Sequence, residues 1–408
     1  LKWNEAVDYA NNSTLAGFKD WRIPTIKELY SLINFEGKTG TAKIKSINVP
    51  PDAKPYINTK YFDFEYSKEK RYIDAQYWTQ TDYVSTTMKG DKTFFGVNFA
   101  DGRIKGYPKF NIGNSGSSKF YLRLVRGNKQ YGENDFIDKH DGTIYDKATK
   151  LTWMKYDSGH ETFKSISLKG KLNWENAVKF CENLNYANLD TWRLPNAKEL
   201  QSIVDYSKSP DTTNSAALNE LFSTTVITNP NNQKDYAFYW TSTTHLDGQK
   251  LGSSAVYIAF GRALGYMKNR RTNTKELLDV HGAGAQRSDP KSGDASNYQY
   301  GRGPQGDVIG IYNLVRCVRD DFTAINNTND FKVETVNNIN TEEPRFERNT
   351  NNNNEHANAI LMKFDKNLDK KISYDEAPRK MKENFIKHDE NRDGYLEGKE
   401  LDTLPKPR

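Results

Sequence analysis

The sequence predicts an α+β protein in which two tandem copies of one mixed unit are followed by a linker and a small α-helical module. Three observations carry this prediction. Motifs recur at a fixed offset, each copy passes from helical periodicity into β-rich segments, and residues 359–408 hold two acidic loops flanked by short helical stretches.

The repeat is read from identity and spacing together. Trp3-Asn4-Glu5-Ala6-Val7 returns as Trp174-Glu175-Asn176-Ala177-Val178, 171 positions later. Trp21-Arg22-Ile23-Pro24 returns as Trp192-Arg193-Leu194-Pro195, and Glu28-Leu29 as Glu199-Leu200, at the same offset. With small indels, Tyr77-Trp78-Thr79 matches Tyr239-Trp240-Thr241, Gly102-Arg103 matches Gly261-Arg262, and Gly106-Tyr107 matches Gly265-Tyr266. Leu124-Val125-Arg126 matches Cys317-Val318-Arg319. Each copy exceeds 100 residues, so these are tandem domains, not solenoid repeats. The expected boundaries are 1–128 and 129–320, with an insertion over 279–310 in the second copy. An Asn-rich flexible linker covers 321–358 and the helical module 359–408.

Within each copy the elements follow from residue chemistry. Ala6, Tyr9 and Ala10 follow Trp3 at helical spacing, as Ala177, Phe180 and Cys181 follow Trp174. The Trp-Arg-x-Pro step is extended, because proline disfavours helix in the residue before it. Thr25 and Asn196 then stand as N-caps, with Glu28 and Glu199 three residues later as in a capping box. Residues 94–99 and 255–260 are rich in aromatic and β-branched side chains and end at Gly-Arg turns, as hairpin strands do. Segments 120–126 and 312–319 are the expected closing strands. Residues 141–145 and 151–153 read as a hairpin opening the second copy. The first copy lacks one, and the chain starts at Leu1, so its upstream part is expected to be missing.

The last fifty residues carry the most specific chemistry. A calcium loop of the EF-hand type needs oxygen donors at positions 1, 3, 5, 9 and 12, a carbonyl at 7 and an apolar residue at 8. The second loop offers Asp389, Asn391, Asp393, the Tyr395 carbonyl, Glu397 and Glu400, with Gly394 at the turn and Leu396 at position 8. The first offers Asp365, Asn367, Asp369, the Lys371 carbonyl, Ser373 and Glu376, with Ile372 at position 8. Lys370 replaces the usual glycine at position 6, so weaker affinity is expected there. The alternative is a pair of solvated acidic turns. A single short helix over 377–387, opened by Pro378, is expected between the loops. Only Met362 and Met381 flank them, so calcium is expected to order the tail and not to switch the protein.

Other residues bound the function. Cys181 and Cys317 face Ala10 and Leu124 of the first copy and are absent from it together. That joint absence suggests a bridge formed in an oxidising compartment, the alternative being two buried free thiols. The six histidines are scattered, and no nucleophile elbow or phosphate loop appears. Within the insertion, Asp279, His281, Arg287 and Asp289 form a candidate ligand loop, with an ordinary hydrogen-bonded loop as the alternative. Trp21, Trp78, Trp192 and Trp240 suit sugar stacking, but their repetition favours core packing. Arg22, Arg193, Arg126 and Arg319 are expected to be at least half-buried partners of acidic groups such as Glu28 and Glu199.

Charge is uneven along the chain. Residues 320–408 hold 15 Lys/Arg and 19 Asp/Glu, whereas the preceding 319 hold 44 and 34. A basic body can attract polyanions, although ordinary solubility explains the same excess. No stretch approaches the roughly 18 apolar residues of a membrane-spanning helix, so an integral membrane protein is not expected.

The helical Trp-x-x-Ala, the Trp-Arg-Ile/Leu-Pro step, Glu-Leu, Tyr-Trp-Thr, Gly-Arg and the closing Arg-Cys-Val-Arg resemble the Lcl C-terminal-like domains. These are bacterial domains of unknown function named after a collagen-like adhesin. The resemblance spans nearly all of 1–320 as two copies, of which the first lacks the cysteines and the opening strand. It implies a C-type-lectin-like fold related to formylglycine-generating enzymes, and a secreted, periplasmic or surface location. Those enzymes use a cysteine pair close together near the C-terminus, whereas the two cysteines here lie 136 positions apart, so enzymatic activity is not expected. The leading expectation is a calcium-binding, non-catalytic adhesion or binding protein whose partner is a glycan or surface protein, with no specific nucleic acid. The alternatives are an assembly component that self-associates and a formylglycine-related enzyme.

Overall fold

The computed structural model describes residues 1–41, 46–110, 119–163, 166, 168–248, 250–269 and 271–320 of the body. In the tail it describes 360, 361, 364, 371–373, 376–382, 384–389, 395–397, 399–402 and 404. The expected linker lies outside these residues. The chain divides into two units, Leu1–Phe331 and Lys332–Arg408.

In the first unit each copy opens on the expected helices. Helix α1 (Trp3–Asn11) buries Ala6 and Ala10, the small residues that let it lie close to the core, while Tyr9 faces solvent. Helix α2 (Ile26–Tyr30) is held by Thr25, whose hydroxyl accepts from the Glu28 N–H at 3.2 Å while the Glu28 carboxylate accepts from the Thr25 N–H at 2.8 Å. Strands β1 (Gln76–Tyr77), β2 (Asp82–Thr87), β3 (Asp91–Asn98) and β4 (Arg103–Pro108) complete the first copy. The second begins with β5 (Phe136–Asp138), β6 (Thr143–Asp146) and β7 (Leu151–Met154), the last two forming the expected opening hairpin. Helix α3 (Trp174–Glu182) repeats α1, burying Ala177 and Cys181, and α4 (Ala197–Ser202) repeats α2 with Asn196 and Glu199 as its capping box. Then follow β8 (Val226–Thr228), β9 (Lys234–Tyr236), β10 (Phe238–His245), β11 (Ser254–Ala259), β12 (Leu264–Lys268), β13 (Lys275–Asp279), β14 (Gln286–Pro290) and β15 (Val318–Asp320).

One sheet runs through both copies, in the order β1-β3-β4-β14-β11-β10, with β2 pairing the same edge of β3 as β1, further along the strand. In the first copy β3 pairs with β4 as a hairpin. In the second, β12 stands where β4 stood but pairs with β13, and β11 takes β14 as its partner over five positions, Ser254↔Pro290 to Ile258↔Gln286. Strand β14 also meets β4 at Gln286↔Ile104, and the Gly106 N–H donates to the His281 carbonyl at 3.0 Å. The insertion expected as a loop thus supplies a central strand. Its unpaired backbone groups find partners on two otherwise open edges, which a surface loop would leave to water.

The core is shared in the same way. Ile26, Leu29, Phe95 and Val97 of the first copy join Leu200, Tyr239, Ile258 and Leu314 of the second in one buried cluster. Trp78, Trp240 and Trp192 are buried, as expected from their repetition. Trp21 is half-buried and donates to the Leu15 carbonyl at 2.9 Å. A disulfide joins Cys181 on α3 to Cys317, just before β15.

Two strand expectations need correction. The second closing segment forms a strand only over Val318–Asp320, paired with β7. The first makes isolated bridges, Tyr77↔Tyr121 and Arg22↔Val125, because its counterpart's partner belongs to the opening hairpin of the second copy. The arginine expectation also holds only in part. Arg22 pairs with Glu28 at 2.6 Å and Arg193 with Glu199 at 2.7 Å, but Arg126 pairs with Asp20 near the surface and Arg319 donates to the Thr191 hydroxyl.

In the tail unit, β16 (Ile372–Ser373) pairs antiparallel with β17 (Tyr395–Leu396), placing Ile372 opposite Leu396. Both are fully buried in a cluster with Ile360, Ala377, Phe385, Leu401 and Leu404. Among the described residues the expected single helix over 377–387 appears as two short ones, Arg379–Lys382 and Phe385–His388, and Asn384 before the second, at φ −122° and ψ 12°, lies outside the helical region.

Candidate functional site

The four insertion residues separate into two places. Asp279 ends β13 beside the first copy, where its carboxylate accepts the Tyr83 hydroxyl at 2.9 Å and the Gly282 N–H at 2.9 Å. Burial pushes its carboxyl up to about 7, against the pull of that N–H. The other three gather at the seam of the two copies. His281 Nε2 lies 2.9 Å from Asp307 Oδ1, Arg287 pairs closely with the other Asp307 oxygen, and Asp289 accepts the Gly310 N–H at 2.7 Å.

Arg287 and Asp289 line a cavity of about 320 Å³ that also takes Asp101, Arg103 and Lys105 from the first copy and Asp247, Arg302 and Asp307 from the second. Asp101 lies in the turn before β4, and Arg103 and Lys105 lie on β4 itself; the turn is what sets the three side by side. It needs Gly102, whose φ is +64° and where a Cβ would lie 2.5 Å from the Tyr56 ring. Arg103 pairs closely with Asp247 and lies 3.4 Å from Asp101, which Lys105 approaches at 3.2 Å. His245 joins the network from β10, with Nδ1 at 2.7 Å from the Ser288 hydroxyl and Nε2 at 2.9 Å from the Asp101 carbonyl.

Burial sets the protonation of this cluster. It lowers the Lys105 ammonium to about 8, although Asp101 opposes the shift. His245 and His281 are brought down to about 4, so both are neutral near pH 7. Burial would raise Asp101, Asp247 and Asp307, but the adjacent cations outweigh it and hold all three below the usual range. Asp289 has no such cation at contact, and burial lifts it well above that range.

Several of these residues were not foreseen. Yet at the Gly102/Gly261 match, Asp101 and Lys105 stand where the second copy carries Phe260 and Leu264, both buried. Charge placed where the other copy is apolar was the available signal.

The tail loops are described in part. Asp365, Asn367, Asp369, Asn391 and Asp393 lie outside the described residues. The Glu376 carboxylate accepts the Ser373 N–H at 2.9 Å and its hydroxyl at 2.7 Å, and Glu400 accepts the Glu397 N–H at 3.1 Å. Lys371 pairs with Glu397 at 2.5 Å, and Asp389 and Glu400 are buried. Among the described residues no group of three His, Cys, Asp or Glu gathers closely enough to hold a metal.

The family described as the Lcl C-terminal domain matches residues 1–126 and 142–278. The chain belongs to that family. Each matched stretch is one Lcl C-terminal domain, and β14 with the loop that carries Asp307 follows the second of them. No curated protein and no solved structure matches the chain.

The Asp279 carboxyl, near 3.8 when unfolded and near 7 when folded, binds more protons in the folded state between those values. Its contribution is present below about pH 4 and is lost as pH rises through 7. Asp279→Asn keeps an acceptor for Tyr83 and Gly282 and cannot ionise. Its melting temperature should match the parent at pH 4 and exceed it increasingly towards pH 7, and a constant difference across that range would refute the assignment. Comparing variant with parent cancels His245 and His281, whose lowered values act in the opposite direction.

Proposed function

We propose that this chain is a secreted or cell-surface binding protein. Two Lcl C-terminal domains of C-type-lectin-like fold recognise a glycan or a surface partner, and a tail of paired EF-hand loops binds calcium. The observation that carries the calcium reading is the antiparallel pairing of Ile372 with Leu396. These are the eighth residues of both loops, the apolar position of the EF-hand pattern. The glutamates at position 12, Glu376 and Glu400, each fold back onto position 9 of their own loop, where a bound cation would draw them in as bidentate ligands. Disulfide Cys181–Cys317 supports an oxidising compartment.

Calorimetric titration tests the calcium reading. Two calcium ions should bind, more tightly at the loop ending in Glu400. Glu400→Gln should remove the tighter phase and Glu376→Gln the weaker one. Absence of heat up to millimolar calcium would refute it. A glycan array with and without calcium tests the recognition reading.

A further inference from the structure

The seam cavity exists only because two domains meet across β14, and its lining is rich in charge of both signs. Arg71, Arg103, Lys105, Arg287 and Arg302 line it. Against these five cations stand the carboxylates of Asp101, Asp247 and Asp307, together with Asp74, which holds Arg71 at 2.6 Å. Asp289 completes the lining, its carboxyl held well above the usual range by burial.

Hydrogen-bonding capacity is also unspent. Nε and Nη1 of Arg287 have no acceptor, and Nε of Arg103 has none. On the other side, Oδ1 of Asp101 and Oδ1 of Asp247 have no donor, although these residues are only 1% and 7% exposed. The Tyr107 hydroxyl in the wall is unmatched as well. Buried polar atoms without partners are costly, and a site that holds both kinds side by side is made whole by a ligand that is acceptor at one end and donor at the other.

We propose that the seam cavity binds a small carboxylate bearing a hydroxyl or ammonium group near its acid, with the carboxylate on Arg287 and Lys105 and the donor hydrogens on Asp101 and Asp247. The volume, about 320 Å³, lies at the small end of ligand pockets and suits one compact molecule. Sulfate is disfavoured because all its oxygens accept, and the unmatched aspartate oxygens repel it. A neutral sugar offers no anionic acceptor to the unmatched Arg287 donors. The proposal rests on the binding reading above but needs neither surface-glycan recognition nor the calcium tail.

The test is calorimetric titration of the full chain with L-serine, L-lactate, D-gluconate and D-glucuronate at millimolar concentration, with glucose and sodium sulfate at matched ionic strength as controls. At least one of the four should bind one-to-one while both controls stay silent. Arg287→Lys keeps a cation opposite Asp307 but removes the spare guanidinium donors, and Lys105→Gln removes the second cation. Each should weaken binding about tenfold or more, as expected for a hydrogen bond to a charged group, with near-ultraviolet circular dichroism unchanged. Should Lys105→Gln misfold, Arg287→Lys decides alone. Silence from all four carboxylates, equal binding of sulfate or glucose, or undiminished binding in Arg287→Lys would overturn the proposal. A negative glycan array beside positive carboxylate binding would sink the surface reading alone.

Discussion

Asp157→Ala should destabilise the first unit by about 3–5 kcal/mol, the range for breaking one side of a buried ion pair. Asp157 and Arg316 are both fully buried, 3.8 Å apart. The Asp157 carboxylate also accepts from the Thr225 N–H at 2.7 Å and from the Tyr239 hydroxyl at 2.5 Å. Arg316 donates to the carbonyls of Met154 at 2.8 Å, Lys155 at 2.6 Å and Ser223 at 2.8 Å. Alanine leaves this guanidinium without a counter-ion in a site that water cannot reach. Urea unfolding of parent and variant measures the effect. A difference under 1 kcal/mol would mean that the carbonyls alone satisfy Arg316.

Breaking the disulfide should cost about 2–5 kcal/mol, measured by the same method on Cys181→Ser/Cys317→Ser. The bridge ties α3 to the segment before β15 across 136 residues of chain, a long loop whose closure limits the unfolded state. Both sulfurs are fully buried beside Trp192 and Trp240, so serine would add a packing loss and an unpaired hydroxyl. Reducing agent should lower the melting temperature of the parent and leave the double variant unaffected. Equal melting of both proteins without reductant would contradict this.

How much of this was legible depended on whether the determining contact is local. The capped helices α2 and α4 and the pairs Arg22–Glu28 and Arg193–Glu199 lie within six residues of sequence, and pattern was sufficient for them. The disulfide is long-range, yet comparing the two copies pointed to it. Arg316 could have been noticed similarly, since the alignment of Leu124 with Cys317 places Arg123 opposite it. Each arginine lies near an equivalent tyrosine ring, Tyr77 at 5.8 Å and Tyr239 at 5.9 Å. Its partner Asp157 has no such signal, because it follows the opening hairpin that only the second copy shows.

The seam was beyond reach for another reason. Gln-Arg-Ser-Asp-Pro at 286–290 has neither β-branched nor aromatic residues and ends in proline, so its composition reads as a turn. Its strand conformation is imposed from outside, by the edges of β4 and β11 on either side. Tertiary context overrides propensity there, and the charged cavity follows from it. Sequence placed Asp279 with Arg287 and Asp289 because they are neighbours along the chain, whereas the sheet sends Asp279 to Tyr83 and the other two to Arg103 and Lys105.

Strand β14 joins two Lcl C-terminal domains into one sheet and so creates the seam. Amide hydrogen exchange across residues 286–290 tests it most directly. Val256, Ser288 and their neighbours sit in register between β11 and β14, so protection in β14 should be comparable to that of β3 and β11 and lost only on global unfolding. Exchange of 286–290 at the rate of an exposed loop, with β3 and β11 still protected, would contradict it.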